Sequence, residues 1–514
     1  MTGAARHAAR SSPGPLARGL AQARRHWVML VLLGLAALLR VIVVLAYRPA
    51  LLFPDSVDYL DRAKDLTPSS WHPLGYPLLL RVLHVIPDLT VVPVVQHLLV
   101  LATAVLLYAL LLRLGLRPWL AALGTLPVLF DAFQVIIEQY VLSEAWFEFL
   151  ITAAVVVVLW RRVPRWWHCV VAGLLVGAAA LVRFDGIIMI VPILVYVLIR
   201  RAGLLRAGAL VLAVVLPVVA YAGWYDSVNG QFTVSGLSGV FLYGRVANFA
   251  ECRGLTLPRY ERPLCPRQPP VDRPPTNWFV SNLSSPARTL TSHAGRSPNS
   301  ILNGFDLTII EHQPLDYANH VLDDYFRQFL PGHPEPKGES EAESYFAVGY
   351  PGAAVTDLTK AEAAGVIAAD FGGPRPSANA GLDRFLRRYQ QVVYTPGPLF
   401  GALLLLGMAA LAGAGRARTS RRRAECLTLL LSSILPFLFA VGTSQFGYRY
   451  QLPCLFFVGP LAVLSLAMIW PRLRSDRWEG RDKSGPAHVA EERAAATTEV
   501  AEAAPATAGA AVGG

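Results

Sequence analysis

Three aspartates in one short stretch, residues 53–61, are the first candidates for chemistry in this chain. Asp55, Asp58 and Asp61 directly follow the first apolar segment. A carboxylate held beside a hydroxyl group can act as a general base and take up its proton. The structural alternative is a helix start, because Asp55 in a Pro-Asp-Ser sequence before a helical turn makes a good cap. We expect Asp55 to be the base and Tyr59, one helical turn later, to point inward.

Two glutamates, Glu138 and Glu144, stand near the start of a later apolar segment. A carboxylate within a membrane-buried segment is costly, so its presence favours a function. Ser143 followed by Glu144 also has the form of a helix cap, which is the structural alternative. We favour a catalytic or substrate-orienting role for Glu144 and a substrate-binding role for Glu138.

Four arginines lie within or at the edges of apolar segments: Arg40, Arg183, Arg245 and Arg449. A guanidinium group matches a lipid phosphate in geometry and in charge. We therefore treat Arg183, Arg245 and Arg449 as substrate-binding candidates. Each of them could instead extend to ordinary phospholipid headgroups. Arg183 could equally pair with Asp185.

An apolar and aromatic stretch, residues 71–80, follows the acidic loop and contains His72 and Tyr76. Because nothing in its composition requires a position in water, we interpret it as an amphipathic helix lying in the membrane interface. His72 and His84 could bind a metal ion, orient an acceptor or serve as interfacial structure. We include His72, Tyr76 and Tyr59 among the substrate-binding candidates.

Ten apolar segments must position these groups. Their approximate bounds are 27–47, 89–112, 118–135, 142–160, 169–183, 186–199, 205–225, 396–415, 426–443 and 454–470. Repeated apolar runs of this length, with 54% hydrophobic residues and a mean hydropathy of +0.43, indicate membrane-spanning helices. We predict an all-α polytopic membrane protein with about ten transmembrane helices, interfacial helices and a small external domain.

Arginine clusters occupy every second loop between the apolar segments. The positive-inside rule then places both termini in the cytoplasm of a multi-pass protein of the cell membrane. This placement accounts for the net charge of +11 without a nucleic-acid partner. The predicted organisation is a cytoplasmic N-terminus (1–26), a transmembrane core (27–225) with an external catalytic loop (48–88), an external domain (226–395), C-terminal transmembrane helices (396–470) and a disordered cytoplasmic tail (471–514).

The predicted external domain begins with a proline-rich stretch that we expect to be loop. Apolar residues then recur at helical spacing over 315–329, and a further helix is predicted over 383–394. Cys252 and Cys265 lie close together on the oxidising side. A disulfide between them would stabilise the loop by about 3 kcal/mol, and two free thiols are the alternative. The five cysteines show no zinc-binding spacing.

Several ordered landmarks together resemble a known family. They are Pro54-Asp55-Ser56-x-x-Tyr59, His72-Pro73-Leu74-Gly75-Tyr76-Pro77, Ser143-Glu144, Leu181-Val182-Arg183 and Arg449-Tyr450-Gln451-Leu452-Pro453. In this order they are similar to the family 39-type glycosyltransferases of the GT-C fold. Two further stretches, Leu242-Tyr243-Gly244-Arg245-Val246 and Pro314-Leu315-Asp316-Tyr317, are similar to actinobacterial members in particular. These enzymes use sugars linked to polyprenyl phosphate and include protein O-mannosyltransferases and aminoarabinose transferases. The chain carries Ser56 where many relatives have a glutamate.

The resemblance implies a donor sugar on a polyprenyl phosphate, with mannose the commonest, and an external acceptor that is a protein, a glycan or a metabolite. Asp55 would take the acceptor proton in an inverting displacement. Arg449, Arg183 or Arg245 would balance the charge of the leaving phosphate. Glu144 would orient the substrate or hold a divalent metal. No cofactor is assigned, and use of a metal stays open.

Two other functions compete with this prediction. A secondary transporter would share the many spans, but such proteins usually show repeated halves and broken helices near the midplane. We find no internal repeat in the sequence, and the charged candidates gather at one face. A lipid-linked oligosaccharide ligase or an acyltransferase would share the topology and use a different donor.

Overall fold

The computed structural model describes residues 15–332, 370–374 and 377–475. Within these ranges the chain is helical apart from turns, loops and one small sheet. In that sheet β1 (Tyr47–Arg48) pairs antiparallel with β2 (Ser377–Ala378). The predicted all-α class is confirmed. The tail prediction beyond residue 475 and the first 14 residues lie outside the described ranges.

The N-terminal part of the chain forms most of the helical bundle. Its helices are α1 (Pro15–Ala46), α2 (Pro54–Asp65), α3 (Gly75–Leu83), α4 (Val91–Arg113), α5 (Pro118–Leu123), α6 (Leu126–Phe130), α7 (Ala132–Ile137), α8 (Glu144–Leu159), α9 (Trp166–Val182), α10 (Ile190–Ile199) and α11 (Leu204–Asn229). A 3-10 helix, Phe184–Met189, leads directly into α10. Each apolar segment predicted in this part therefore contains helix.

The third predicted segment, 118–135, is not one helix. It is divided among α5, α6 and α7. Pro118 and Pro127 each stand in the first turn of a new helix, where a missing N–H costs nothing. The Asp131 carboxylate caps α7 by accepting from the backbone N–H groups of Phe133 and Gln134. These helix-start residues interrupt a segment that hydrophobicity alone presents as continuous.

Residues 230–332 form an insertion between α11 and the last helices. Its helices are α12 (Ser238–Val246), α13 (Thr276–Ser281), α14 (Pro286–Thr289), α15 (Pro298–His312) and α16 (Pro314–Arg327). The insertion has its own hydrophobic core, in which Tyr243 and Phe305 are fully buried. Its proline-rich stretch is loop with two short 3-10 helices, and a disulfide joins Cys252 to Cys265.

Four helices complete the described chain: α17 (Ala380–Val392), α18 (Gly397–Ala412), α19 (Arg423–Thr443) and α20 (Tyr448–Ile469). Among the described helices, five are long and apolar enough to cross a membrane, and α17 with α18, bent by 47°, would be a sixth. The five are Gln22–Ala46 within α1, then α4, α11, α19 and α20. Shorter apolar helices, Trp166–Val182 and Phe184–Ile199, pack among them. The protein is a multi-pass membrane protein.

The basic loops predicted from the arginine pattern meet at one end of the bundle. Arg113 donates to the carbonyl of Trp160, at the end of α8. Arg200 donates to the carbonyl of Arg421 and pairs with the Glu425 carboxylate, both near the start of α19. The acidic loop after α1 lies at the other ends of these helices, so the two kinds of charge are separated along the bundle.

Candidate active site

The side chain that makes a hydrogen bond at the N-terminus of α2 is that of Ser56, not that of Asp55. The N-cap residue is Phe53, and its backbone N–H donates to the Ser56 hydroxyl at 2.9 Å. That hydroxyl donates in turn to the carbonyl of Val141 at 2.8 Å, which ties α2 to the loop before α8. The helix-cap alternative for Asp55 is therefore wrong. Its carboxylate is left available for a partner from another element.

That partner is Arg449, in the first turn of α20. Arg449 Nη1 lies 2.8 Å from Asp55 Oδ2, and the two side chains are 16% and 20% exposed. The guanidinium carbon stands 5.0 Å from the ring centre of Phe53 and 5.1 Å from that of Tyr450. Two aromatic rings therefore hold the cation beside the carboxylate, and each adds a favourable cation–π contact.

A second ion pair adjoins the first. Arg183 Nη1 lies 2.7 Å from Glu144 Oε1, and Arg183 Nε lies 3.4 Å from Asp185 Oδ1. The predicted Arg183–Asp185 pair and a contact with Glu144 therefore occur together. Arg449 Nη1 is 4.0 Å from the same oxygen of Glu144, so this buried carboxylate links the two arginines. Glu144 Oε2 has no hydrogen-bond partner among the described residues.

His72 approaches the aspartates of α2 from the loop before α3. Its Nδ1 lies 2.9 Å from Asp58 Oδ2, and its Nε2 lies 3.8 Å from Asp55 Oδ2. Ser69 donates its hydroxyl to the Asp58 carboxylate at 2.9 Å. Asp58 was named among the acidic candidates but given no role, although three-residue spacing on a helix places it on the face of Asp55, and Ser69 was not proposed.

Tyr59 lies buried behind these groups, as predicted. Its hydroxyl is 3.2 Å from the Ser143 hydroxyl, so Ser143 holds the tyrosine although its side chain makes no helix cap. The ring stands 4.5 Å from the ring of His72 and 4.9 Å, edge to face, from that of Tyr76. The Tyr76 hydroxyl donates to Gln96 at 2.7 Å, so Tyr76 supplies a wall of the site and no free polar group.

The charges around Asp55 determine its ionisation. Burial favours the neutral acid, but the positive charge of Arg449, with a contribution from Arg183, outweighs it and lowers the pKa of Asp55. Burial acts in the other direction on Tyr59, since it raises the pKa of the phenol above its ordinary value. Asp55 is therefore ionised and Tyr59 neutral near pH 7.

Two predicted substrate-binding residues lie elsewhere. Glu138, completely buried at the end of α7, pairs with Arg40 of α1 at 2.8 Å and with His97 of α4 at 2.7 Å. Arg245 is buried in the insertion, where it lies 2.6 Å from Asp324 of α16. Each charge is thus matched within its own surroundings, and the structure does not bring either residue to the Asp55–Arg449 pair.

The described residues contain no group of three histidine, cysteine, aspartate or glutamate side chains arranged to hold a metal ion. Asp55 is engaged by Arg449 and Asp58 by His72 and Ser69. The Ser56 hydroxyl accepts from the backbone N–H of Phe53 and donates to the backbone carbonyl of Val141. We therefore assign no step to a metal.

Comparison with known proteins gives one family match. A model described as dolichyl-phosphate-mannose-protein mannosyltransferase matches residues 92–213, a segment that contains Glu144 and Arg183. The resemblance to enzymes that use polyprenyl-phosphate sugars is confirmed over this segment. A comparison with curated proteins found no match.

Two solved structures are similar to parts of the chain. One is the protein O-mannosyltransferase Pmt1-Pmt2 complex of S. cerevisiae bound to the sugar donor, with 16% identity, a TM-score of 0.33, and coverage of 43% of this chain and 36% of that one. The other is the Archaeoglobus fulgidus oligosaccharyltransferase tethered with an acceptor peptide, with 14% identity, a TM-score of 0.37, and coverage of 87% and 50%. The chain thus spans half or less of the length of either structure.

Proposed function

We propose that this protein is a membrane glycosyltransferase that moves a sugar from a polyprenyl-phosphate carrier to an acceptor hydroxyl at the external membrane face. The observation that carries the proposal is the contact between Asp55 and Arg449, a base and a phosphate-binding cation at 2.8 Å. They come from opposite ends of the chain and meet at the end of the bundle away from the basic loops. The family match over 92–213 supports the class of donor.

Donor binding would change the partner of Arg449. The donor phosphate is an anion that competes with Asp55 for the guanidinium group, and Arg183 lies close enough to bind it as well. When Arg449 turns toward the phosphate, Asp55 loses the positive charge that lowers its pKa and becomes a stronger base. The site is thus arranged so that the base is activated when the donor is in place.

Transfer then takes place in one displacement. The acceptor oxygen attacks the anomeric carbon as Asp55 removes its proton, and the bond from that carbon to the phosphate oxygen breaks with its electron pair on the phosphate. Arg449 and Arg183 stabilise the negative charge that develops there. Attack from the face opposite the leaving group inverts the anomeric carbon. Glu144 keeps the two arginines together and oriented.

The first donor to test is polyprenyl-phosphate mannose, and the first acceptor is a peptide with serine and threonine hydroxyls. Asp55→Asn should abolish mannose transfer and release of the lipid phosphate, since general-base catalysis contributes about 10²- to 10⁴-fold. Asp61→Asn is the matched control, because Asp61 lies on the same helix with its side chain 53% exposed. Near wild-type transfer by purified Asp55→Asn would refute the assignment of the base.

The proposed orientation puts Asp55 outside the cell and both termini in the cytoplasm. A cysteine at position 61 should then react with a membrane-impermeant maleimide on intact cells, whereas Arg418→Cys should react only after the membrane is opened. The native cysteines interfere little, because three are buried and two form a disulfide. Labelling in the reverse pattern would place the site in the cytosol and exclude an external acceptor.

A further inference from the structure

His72 lies between Asp55 and Asp58 of α2 and is positioned to accept the proton that transfer releases. We propose that His72 accepts this proton from Asp55 and passes it to water, with Asp58 as the positioning residue that orients the imidazole ring. The proposal rests on the proposed glycosyl transfer with Asp55 as base, and it extends that reaction by a step after the displacement.

The geometry assigns different roles to the two ring nitrogens. Nδ1 stands 2.9 Å from the Asp58 carboxylate, which accepts from an N–H and so selects the tautomer with its proton on Nδ1. Nε2 then carries a lone pair that faces Asp55 Oδ2 at 3.8 Å. A lone pair and an ionised carboxylate form no hydrogen bond, which agrees with this separation. Once Asp55 has gained a proton, its O–H can donate to Nε2.

Asp58 and its neighbours hold the ring in this position. The Ser69 hydroxyl donates to the two oxygens of Asp58 at 2.9 and 3.1 Å and accepts from the backbone N–H of Trp71 at 3.1 Å. The Trp71 ring is covered by the Arg288 guanidinium at 5.1 Å. The loop that carries His72 is therefore anchored to α2 on one side and to the insertion on the other.

The proton transfers return Asp55 and His72 to their starting protonation states. The proton leaves the acceptor hydroxyl for Asp55 during the displacement, passes from Asp55 to Nε2, and leaves the resulting imidazolium for water. Asp55 is then ionised and His72 neutral, as at the start. The His72 side chain is 19% exposed, so the imidazolium formed after transfer can lose its proton to water.

Chemical rescue separates this role from a structural one. In the purified full-length protein, with polyprenyl-phosphate mannose and a serine/threonine peptide, His72→Ala should lower kcat by about 10²-fold and change KM much less. Added imidazole should restore part of the kcat of His72→Ala and none of that of Asp55→Asn. Asp58→Asn should lower kcat with KM preserved. His312→Ala, a control at an exposed histidine in the insertion, should match the wild type.

A wild-type kcat in His72→Ala, or a loss that imidazole does not reverse, would overturn the relay. If His72→Ala does not fold, an unchanged kcat in Asp58→Asn would overturn it. The proposed function fails in a different way, since it requires transfer by the wild type and loss of transfer in Asp55→Asn. Full activity of His72→Ala beside inactive Asp55→Asn would remove the relay and leave the glycosyltransferase assignment in place.

Discussion

The Arg40–Glu138 cluster and the Arg449–Asp55 cluster differ in how completely their charges are satisfied. In the first, Arg40 makes five hydrogen bonds, two to Glu138 and three to backbone carbonyls, and both side chains are at most 3% exposed. In the second, Arg449 donates to Asp55 and to the Tyr450 hydroxyl, and its side chain is 16% exposed.

The difference separates a structural ion pair from one that can bind a ligand. Arg40 has its charge and its donors matched inside the bundle, so an incoming anion would have to replace contacts that are already good. Arg449 is held by two aromatic rings, the Asp55 carboxylate and the Tyr450 hydroxyl, and makes fewer hydrogen bonds than Arg40. A partly exposed guanidinium group with few fixed hydrogen bonds is well suited to bind a phosphate.

The largest expected effect on stability is at the first cluster. Glu138→Ala should lower the free energy of unfolding by about 3–5 kcal/mol, because it leaves Arg40 buried without its counter-ion. Thermal unfolding of the detergent-solubilised protein, followed by size-exclusion chromatography, would measure the loss.

Glu144→Ala is the matched comparison at the second cluster. We expect a smaller loss of stability and a greater loss of transfer per folded molecule, since Arg183 keeps Asp185 as a partner. If Glu144→Ala proved the less stable of the two, or if Glu138→Ala were inactive while folded, the distinction between the clusters would be lost.

The next largest effect is expected on the KM for the donor when Arg449 is replaced. Arg449→Ala should raise the KM for polyprenyl-phosphate mannose by about 10- to 100-fold, because a hydrogen bond to a charged group contributes about 1.5–3 kcal/mol. Initial rates over a range of donor concentrations would measure it, with Arg418→Ala, an exposed arginine in a basic loop, as control. An unchanged KM would remove Arg449 from the donor site.

The smallest effect is on the pH profile. Arg449 lowers the pKa of Asp55, so Asp55 in the free wild-type protein stays ionised at pH values below the ordinary aspartate pKa. The stability that the ionised Asp55 contributes is lost only as the pH falls through this lowered pKa. Arg449→Gln removes this charge and leaves Arg183 as the nearby guanidinium group. The acid limb of kcat/KM should move to higher pH by about 1–3 units. A limb that stays in place would show that Arg449 does not control the base.

Much of this site could be predicted from residue types and order. Asp55, Glu144, Arg183 and Arg449 were all proposed, because charged groups at the edges of apolar segments are costly and therefore conspicuous. Glu138 was assigned to the same site for the same reason, whereas the structure pairs it with Arg40 and His97. A buried carboxylate that is fully paired inside the bundle and one that faces a substrate look alike in a sequence.

Hydrophobicity also failed to predict where helices begin and end within one apolar segment. Apolar composition predicted a continuous helix over 118–135, whereas Pro118, Pro127 and Asp131 start three separate helices. The signals for these helix starts are visible in the sequence. The prediction gave more weight to hydrophobicity, which indicates that a segment is buried but not where its backbone changes direction.

Hydrophobic patterning and arginine placement were sufficient for the helical class, the membrane location and the separation of basic from acidic ends, because these follow from transfer free energies of single segments. The pairing of Asp55 with Arg449, and of His72 with Asp58, was decided by the tertiary structure. Such contacts depend on how α2, α20 and the loop before α3 pack together, which no local property of any one of them specifies.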